Sequence, residues 1–105
     1  MAYEYYLRFD DRTWFEANRE DIVHTIEHLP TYAGRSDGAF LLQQPQYNMP
    51  DVRLWVGDAH IFIERTALVG PTVRDLVTLV KELSERTGVR LVDEDDEPVI
   101  LPSGG

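Results

Sequence analysis

Cysteine is absent from this 105-residue chain, which excludes disulfides, thiolate zinc sites and cysteine nucleophiles and gives no sign of an oxidising compartment. Lysine is almost absent too: nine of the ten basic residues are arginine, set against 19 Asp and Glu for a formal charge of -9. Such acidity repels nucleic-acid phosphates and anionic lipid, and no stretch interleaves clustered bases with aromatics. Neither a nucleic acid nor a membrane is therefore expected as a partner. No run approaches the roughly 18 apolar residues of a membrane span, and the opening MAYEYYLRFDD has no basic stretch followed by an apolar one. A cytoplasmic protein is the expectation.

What is present is ordinary globular material, 43% hydrophobic and 28% charged, in a length that suits one domain. That domain is expected over residues 1–101, with 102–105 as a flexible tail. The clearest local structure is DVRLWVGDAHIFIER, Asp51 to Arg65, in which two apolar runs of period two flank Gly57-Asp58. This predicts a β-hairpin with a two-residue Gly-X turn that sets Trp55 opposite His60 and Leu54 opposite Ile61. Alternation then gives one aliphatic face, with Val52, Leu54, Val56, Ala59, Ile61 and Ile63. The other face carries Asp51, Arg53, Trp55, His60, Phe62 and Glu64.

Elsewhere, YEYYLRF at 3–9 alternates as a strand with Tyr3, Tyr5, Leu7 and Phe9 on one side. A first helix is expected from Arg19 to Leu29, opened by Asn18 and stopped by Pro30, while residues 12–17 fit either a helical turn or a strand. Thr31 to Gly38 reads as loop and Ala39 to Gln44 as a strand, and PQYNMP leaves Tyr47 and Met49 exposed. Pro71 suits a helix start, and an apolar stripe runs from Val73 to Leu83, with Gly88 as a left-handed terminator. A strand over 89–92, an acidic turn and a short edge strand over 99–101 complete the chain. The order predicts an α+β two-layer sandwich: a mostly antiparallel five- to six-stranded sheet with two helices on one face, a ferredoxin-like arrangement being one special case.

The second face of such a sheet is uncovered, and Tyr6, Arg8, Arg53, Trp55, His60 and Phe62 belong to it. Trp, Tyr and Arg are the residue types enriched at protein–protein hot spots, so this is the candidate binding face. The run Asp93, Glu94, Asp95, Asp96 and Glu97 is a second candidate, as a docking patch for a basic partner, although a solvated turn explains it more simply. It fails the calcium-loop pattern, because Pro98 stands where glycine is required. His24 and His28 have the spacing of two metal ligands but no third ligand fixed by spacing, and they face solvent. No catalytic residue, metal or cofactor is expected.

These features favour a non-enzymatic acidic protein that binds another protein, either a second copy of itself or a basic partner. In size and charge, though in no motif, the chain resembles bacterial immunity or antitoxin-like inhibitors. The alternative is a small-molecule-binding protein or enzyme. Its pocket would lie between the Tyr32–Gly38 and Gln46–Pro50 loops and the hairpin, with His60, Arg53, Asp51 and Tyr47 as its polar groups.

Overall fold

The computed structural model describes residues 2–67 and 69–101. The expected tail at 102–105 lies outside the described residues. The elements are β1 (Tyr3–Phe9), α1 (Arg12–Ala17), α2 (Arg19–Glu27), β2 (Tyr32–Ser36), β3 (Ala39–Leu42), β4 (Val52–Val56), β5 (His60–Arg65), α3 (Pro71–Ser84) and β6 (Val89–Val92). All six strands form one antiparallel sheet in the order β2-β3-β4-β5-β1-β6. The strand β1 is thus inserted between β5 and β6. The order is that of a ferredoxin-like sheet in which a four-strand meander, β2 to β5, replaces the single hairpin.

Period-two alternation builds the core. Leu7, Leu42, Val52, Leu54, Ile61 and Ile63 are wholly buried and form one cluster with Phe15 of α1, Ile22 and Ile26 of α2, and Leu76, Leu79 and Leu83 of α3. All three helices therefore cover the same sheet face, and each wholly buried aliphatic side chain contributes about 1.5–3 kcal/mol. The result is the two-layer α+β sandwich, with a third short helix added.

Residues 12–17 are helical, capped by Asp11: the Trp14 backbone N–H donates to Asp11 Oδ1 at 3.0 Å. Asn18 separates α1 from α2 without capping through its side chain, and donates to the Trp14 carbonyl instead. Tyr32 to Ser36 is a strand and not the expected loop. A β-bulge at Ala33, between the Tyr32–Leu42 and Gly34–Leu41 pairings, interrupts the ladder, and Gly34 beside it takes φ 110, a conformation that a propensity argument reads as a break.

The hairpin forms with a shifted register. Trp55 pairs with Phe62, Leu54 with Ile63 and Val56 with Ile61, and the turn lies over Asp58-Ala59 with Ala59 at φ 58. Each β4 residue meets a β5 residue two positions beyond the expected one, so the parity is preserved and the face assignment survives within the two strands. At Gly57 the His60 ring packs against the backbone: a Cβ there would meet Nε2 at 2.5 Å and displace the ring. Gly88 does not end α3 in a left-handed conformation. The helix closes at Ser84, and Gly88 instead accepts from the Asp10 N–H at 3.0 Å through its carbonyl. The expected strand over 99–101 is reduced to a bridge between Val92 and Pro98 and a hydrogen bond from Val99 N–H to the Leu91 carbonyl.

Candidate functional site

Because the helices share one face, the other face of the sheet is left to its own side chains. Direct cross-strand pairing sets Tyr6 of β1 beside Phe62 of β5, and Phe62 beside Trp55 of β4. The ring centroids are 5.1 Å apart for Tyr6–Phe62 and 5.4 Å for Trp55–Phe62, and His60 meets the edge of Tyr6 at 5.8 Å. The Arg8 guanidinium lies 4.8 Å from the Tyr6 centroid and 3.2 Å from Asp96. At the other end of the ladder Arg53 pairs with Glu64 at 3.1 Å. The six residues singled out from sequence are therefore brought onto one face, each half-buried, with no helix over them. Beside Trp55 the face dips into a hollow of about 310 Å³ lined by Ser36, Asp37, Leu41 and Arg53.

One corner of this face is crowded with carboxylates. Glu4 pairs with Glu64 across β1 and β5. The Glu4 carboxyl is held above its ordinary value of 4.5, first by a hydrogen bond with Glu94, then by desolvation, then by the negative charges of Glu94 and Glu64. The rest of the acidic run has structural partners. Asp93 Oδ1 accepts from the N–H groups of Asp95 at 2.8 Å and Glu97 at 3.0 Å, closing the turn, and Asp96 holds Arg8.

A second concavity lies at the opposite end of the meander from the hairpin turn. Its volume is about 890 Å³, between residues 44–51 and 66–69. Asp51, Arg53 and Tyr47 line it, but His60 does not: it lies at the turn end of β5, with Nδ1 2.9 Å from the Asp58 carbonyl oxygen. The four polar groups expected to share one pocket therefore do not converge. Asp51 is placed differently from expectation, buried at 6% exposure and accepting from Gln44 Nε2 at 2.8 Å rather than standing on the open face.

His24 and His28 remain a surface pair on α2, with ring centroids 6.3 Å apart and His28 Nδ1 2.7 Å from the His24 carbonyl oxygen. Among the described residues no group of three or more His, Asp or Glu could hold a metal ion, and no helix is long and apolar enough to cross a membrane. The sequence reading missed Arg65 and Gln44, both buried polar residues at the cleft end. Arg65 was within reach of the alternation argument, since it follows Ile61 and Ile63 at period two and so faces inward. Neither a family model nor a curated protein nor a solved structure matches the chain at a significant level.

Proposed function

We propose that the chain is a non-enzymatic protein-binding domain that docks a basic partner protein on its uncovered sheet face. The observation that carries the reading is the Tyr6–Phe62–Trp55 ladder, three large rings in mutual contact and left half-exposed by the one-sided packing of the helices. Rings of this size bury about 150–250 Å² each in all when wholly covered, of which neighbouring side chains here supply part and a partner would supply the rest, and Trp and Tyr anchors beside arginines are the usual energetic centre of an interface. The partner's sign follows from charge. A chain of -9 attracts a basic surface over distance. Next to the ladder, Glu4, Glu64 and Glu94 crowd one another, and an incoming Arg or Lys relieves that repulsion. An inhibitor of a basic effector, immunity-like in kind, is the role this combination suits.

The test is affinity capture from a lysate of the source cells on immobilised chain, with the retained protein identified by mass. A basic protein retained by the wild type, released by salt and lost with Trp55→Ala or Tyr6→Ala supports the reading. Retention unchanged in both variants removes the sheet face as the docking surface.

A further inference from the structure

The 890 Å³ cleft borders the sheet face at Arg53 but is lined by none of the ladder rings, and its chemistry does not depend on the sheet-face reading. Among the described residues two carboxylates are buried, and their surroundings differ. Asp75, at 8% exposure, receives both the N–H and the hydroxyl of Thr31, at 2.8 and 2.7 Å. Asp51, at 6% exposure, receives one neutral amide from Gln44 on Oδ2, and its Oδ1 is buried with no hydrogen-bond partner among the described residues. None of the ion pairs among the described residues includes Asp51. A buried carboxylate with so few donors is costly, and a cationic donor is the group that offsets the cost best.

The geometry points to a binding site in this cleft for an alkylammonium or guanidinium group carried on an apolar stem, with Asp51 as its counter-ion. The walls fit the stem. Tyr47, Met49 and Val69 are 52%, 64% and 68% exposed, and all three line the same cleft. Such a grouping of exposed apolar side chains marks a contact site, and the Tyr47 ring suits a passing cation. Arg53 does not make the cleft an anion site, because Glu64 holds it at 3.1 Å; the buried Arg65 is engaged by Tyr5 and the Ala67 carbonyl and does not itself line the cleft, so Asp51 is the lining carboxylate with no ion pair among the described residues. Access runs through a chain of amides: Gln46 Nε2 donates to Gln44 Oε1 at 3.0 Å, and Gln44 Nε2 donates to Asp51 Oδ2 at 2.8 Å. Gln46 is exposed, so this chain leads from the surface to the carboxylate, and a charged donor displaces the neutral amide at its inner end.

A lysine or arginine side chain and a free aliphatic diamine share this chemistry, and one titration separates them. Isotope-labelled protein is titrated with pentane-1,5-diamine, with a capped Leu-Lys-Leu peptide and with the same peptide carrying norleucine for lysine. The two cationic probes should shift the Gln44 and Gln46 side-chain amides and the Asp51 backbone amide, the norleucine peptide should not, and Asp51→Asn should weaken binding at least about tenfold. A peptide at least about tenfold tighter than the diamine assigns the site to a basic side chain, and equal affinities assign it to a free amine. The spectrum of Asp51→Asn reports its own folding. Met49→Ser combined with Val69→Ser, both exposed, provides an independent loss of peptide affinity. The inference is overturned by absence of shifts with either cation, by a norleucine peptide that binds as well as the lysine one, or by undiminished binding in a folded Asp51→Asn.

Discussion

Arg65 shows what one side chain does when a charge is buried with its partners in place. Its guanidinium is 6% exposed, donates to Tyr5 Oη at 2.9 and 3.2 Å and to the Ala67 carbonyl at 2.8 Å, and lies 4.9 Å from the Tyr3 ring centroid. Arg65→Ala leaves the Tyr5 hydroxyl and a carbonyl without their donor and opens space, and should cost about 3–5 kcal/mol in urea unfolding. Glu4 gives a pH signature. Its native carboxyl binds a proton more tightly than the ordinary value of 4.5, so its contribution to stability is complete below that value and is lost as pH rises through the native pKa. The Glu4→Gln chain lacks this loss. Between about pH 4 and about pH 7 its unfolding midpoint should fall less, or rise more, than that of the wild type, which paired urea titrations at the two pH values measure.

At the scale of elements, the β4–β5 hairpin has two faces with different work. Leu54 and Ile61 are wholly buried against the helices, whereas Trp55 and Phe62 pack half-exposed on each other. Leu54→Ala or Ile61→Ala should cost about 2–5 kcal/mol. Trp55→Ala loses the aromatic pair and the buried part of the ring together, and should cost about 1.5–3 kcal/mol, while abolishing the partner capture proposed above. Calorimetry together with partner capture on the two sets of variants separates the core from the proposed docking face. The hairpin tip is also anchored from outside the sheet: Arg19 at the start of α2 donates to the carbonyls of Gly57 at 2.7 Å and Val56 at 3.0 Å. Helix and hairpin are thereby coupled, so Arg19→Ala should raise amide exchange at the turn more than elsewhere.

For the whole molecule, a charge of -9 and the Glu4, Glu64 and Glu94 corner set two copies of the open face against each other electrostatically. Light scattering should therefore return the mass of one chain across a broad concentration series, most firmly at low salt, where screening is weakest. A stable dimer at low salt would redirect the ladder to self-association and leave the basic partner without its docking face. Nothing about the layer arrangement conflicts with either state, because the sheet face is uncovered in a single copy.

Much of this was legible in order along the chain. Alternation at 3–9 and 52–63 indicated which strand side chains face the core, and even a hairpin register placed wrongly left the faces of residues 52–56 and 60–63 right, because side-chain period in a strand is two, whereas Asp51 and Ala59 at the strand ends fell elsewhere. The Val73 to Leu83 stripe determined α3, and the absence of cysteine and the excess of acid determined which chemistries to set aside. Tertiary structure alone decided what local propensity leaves ambiguous. Tyr32 to Ser36 becomes a strand because β3 offers it a ladder, and a bulge at Ala33, next to Gly34, is accommodated within that ladder. The burial of Asp51 and Arg65 likewise arises where the ends of β4 and β5 meet the chain on either side of them, a contact that no periodicity encodes. A pattern of residues determines which way a side chain points. Only the packing of distant segments decides whether what it points at is protein, water or a cleft.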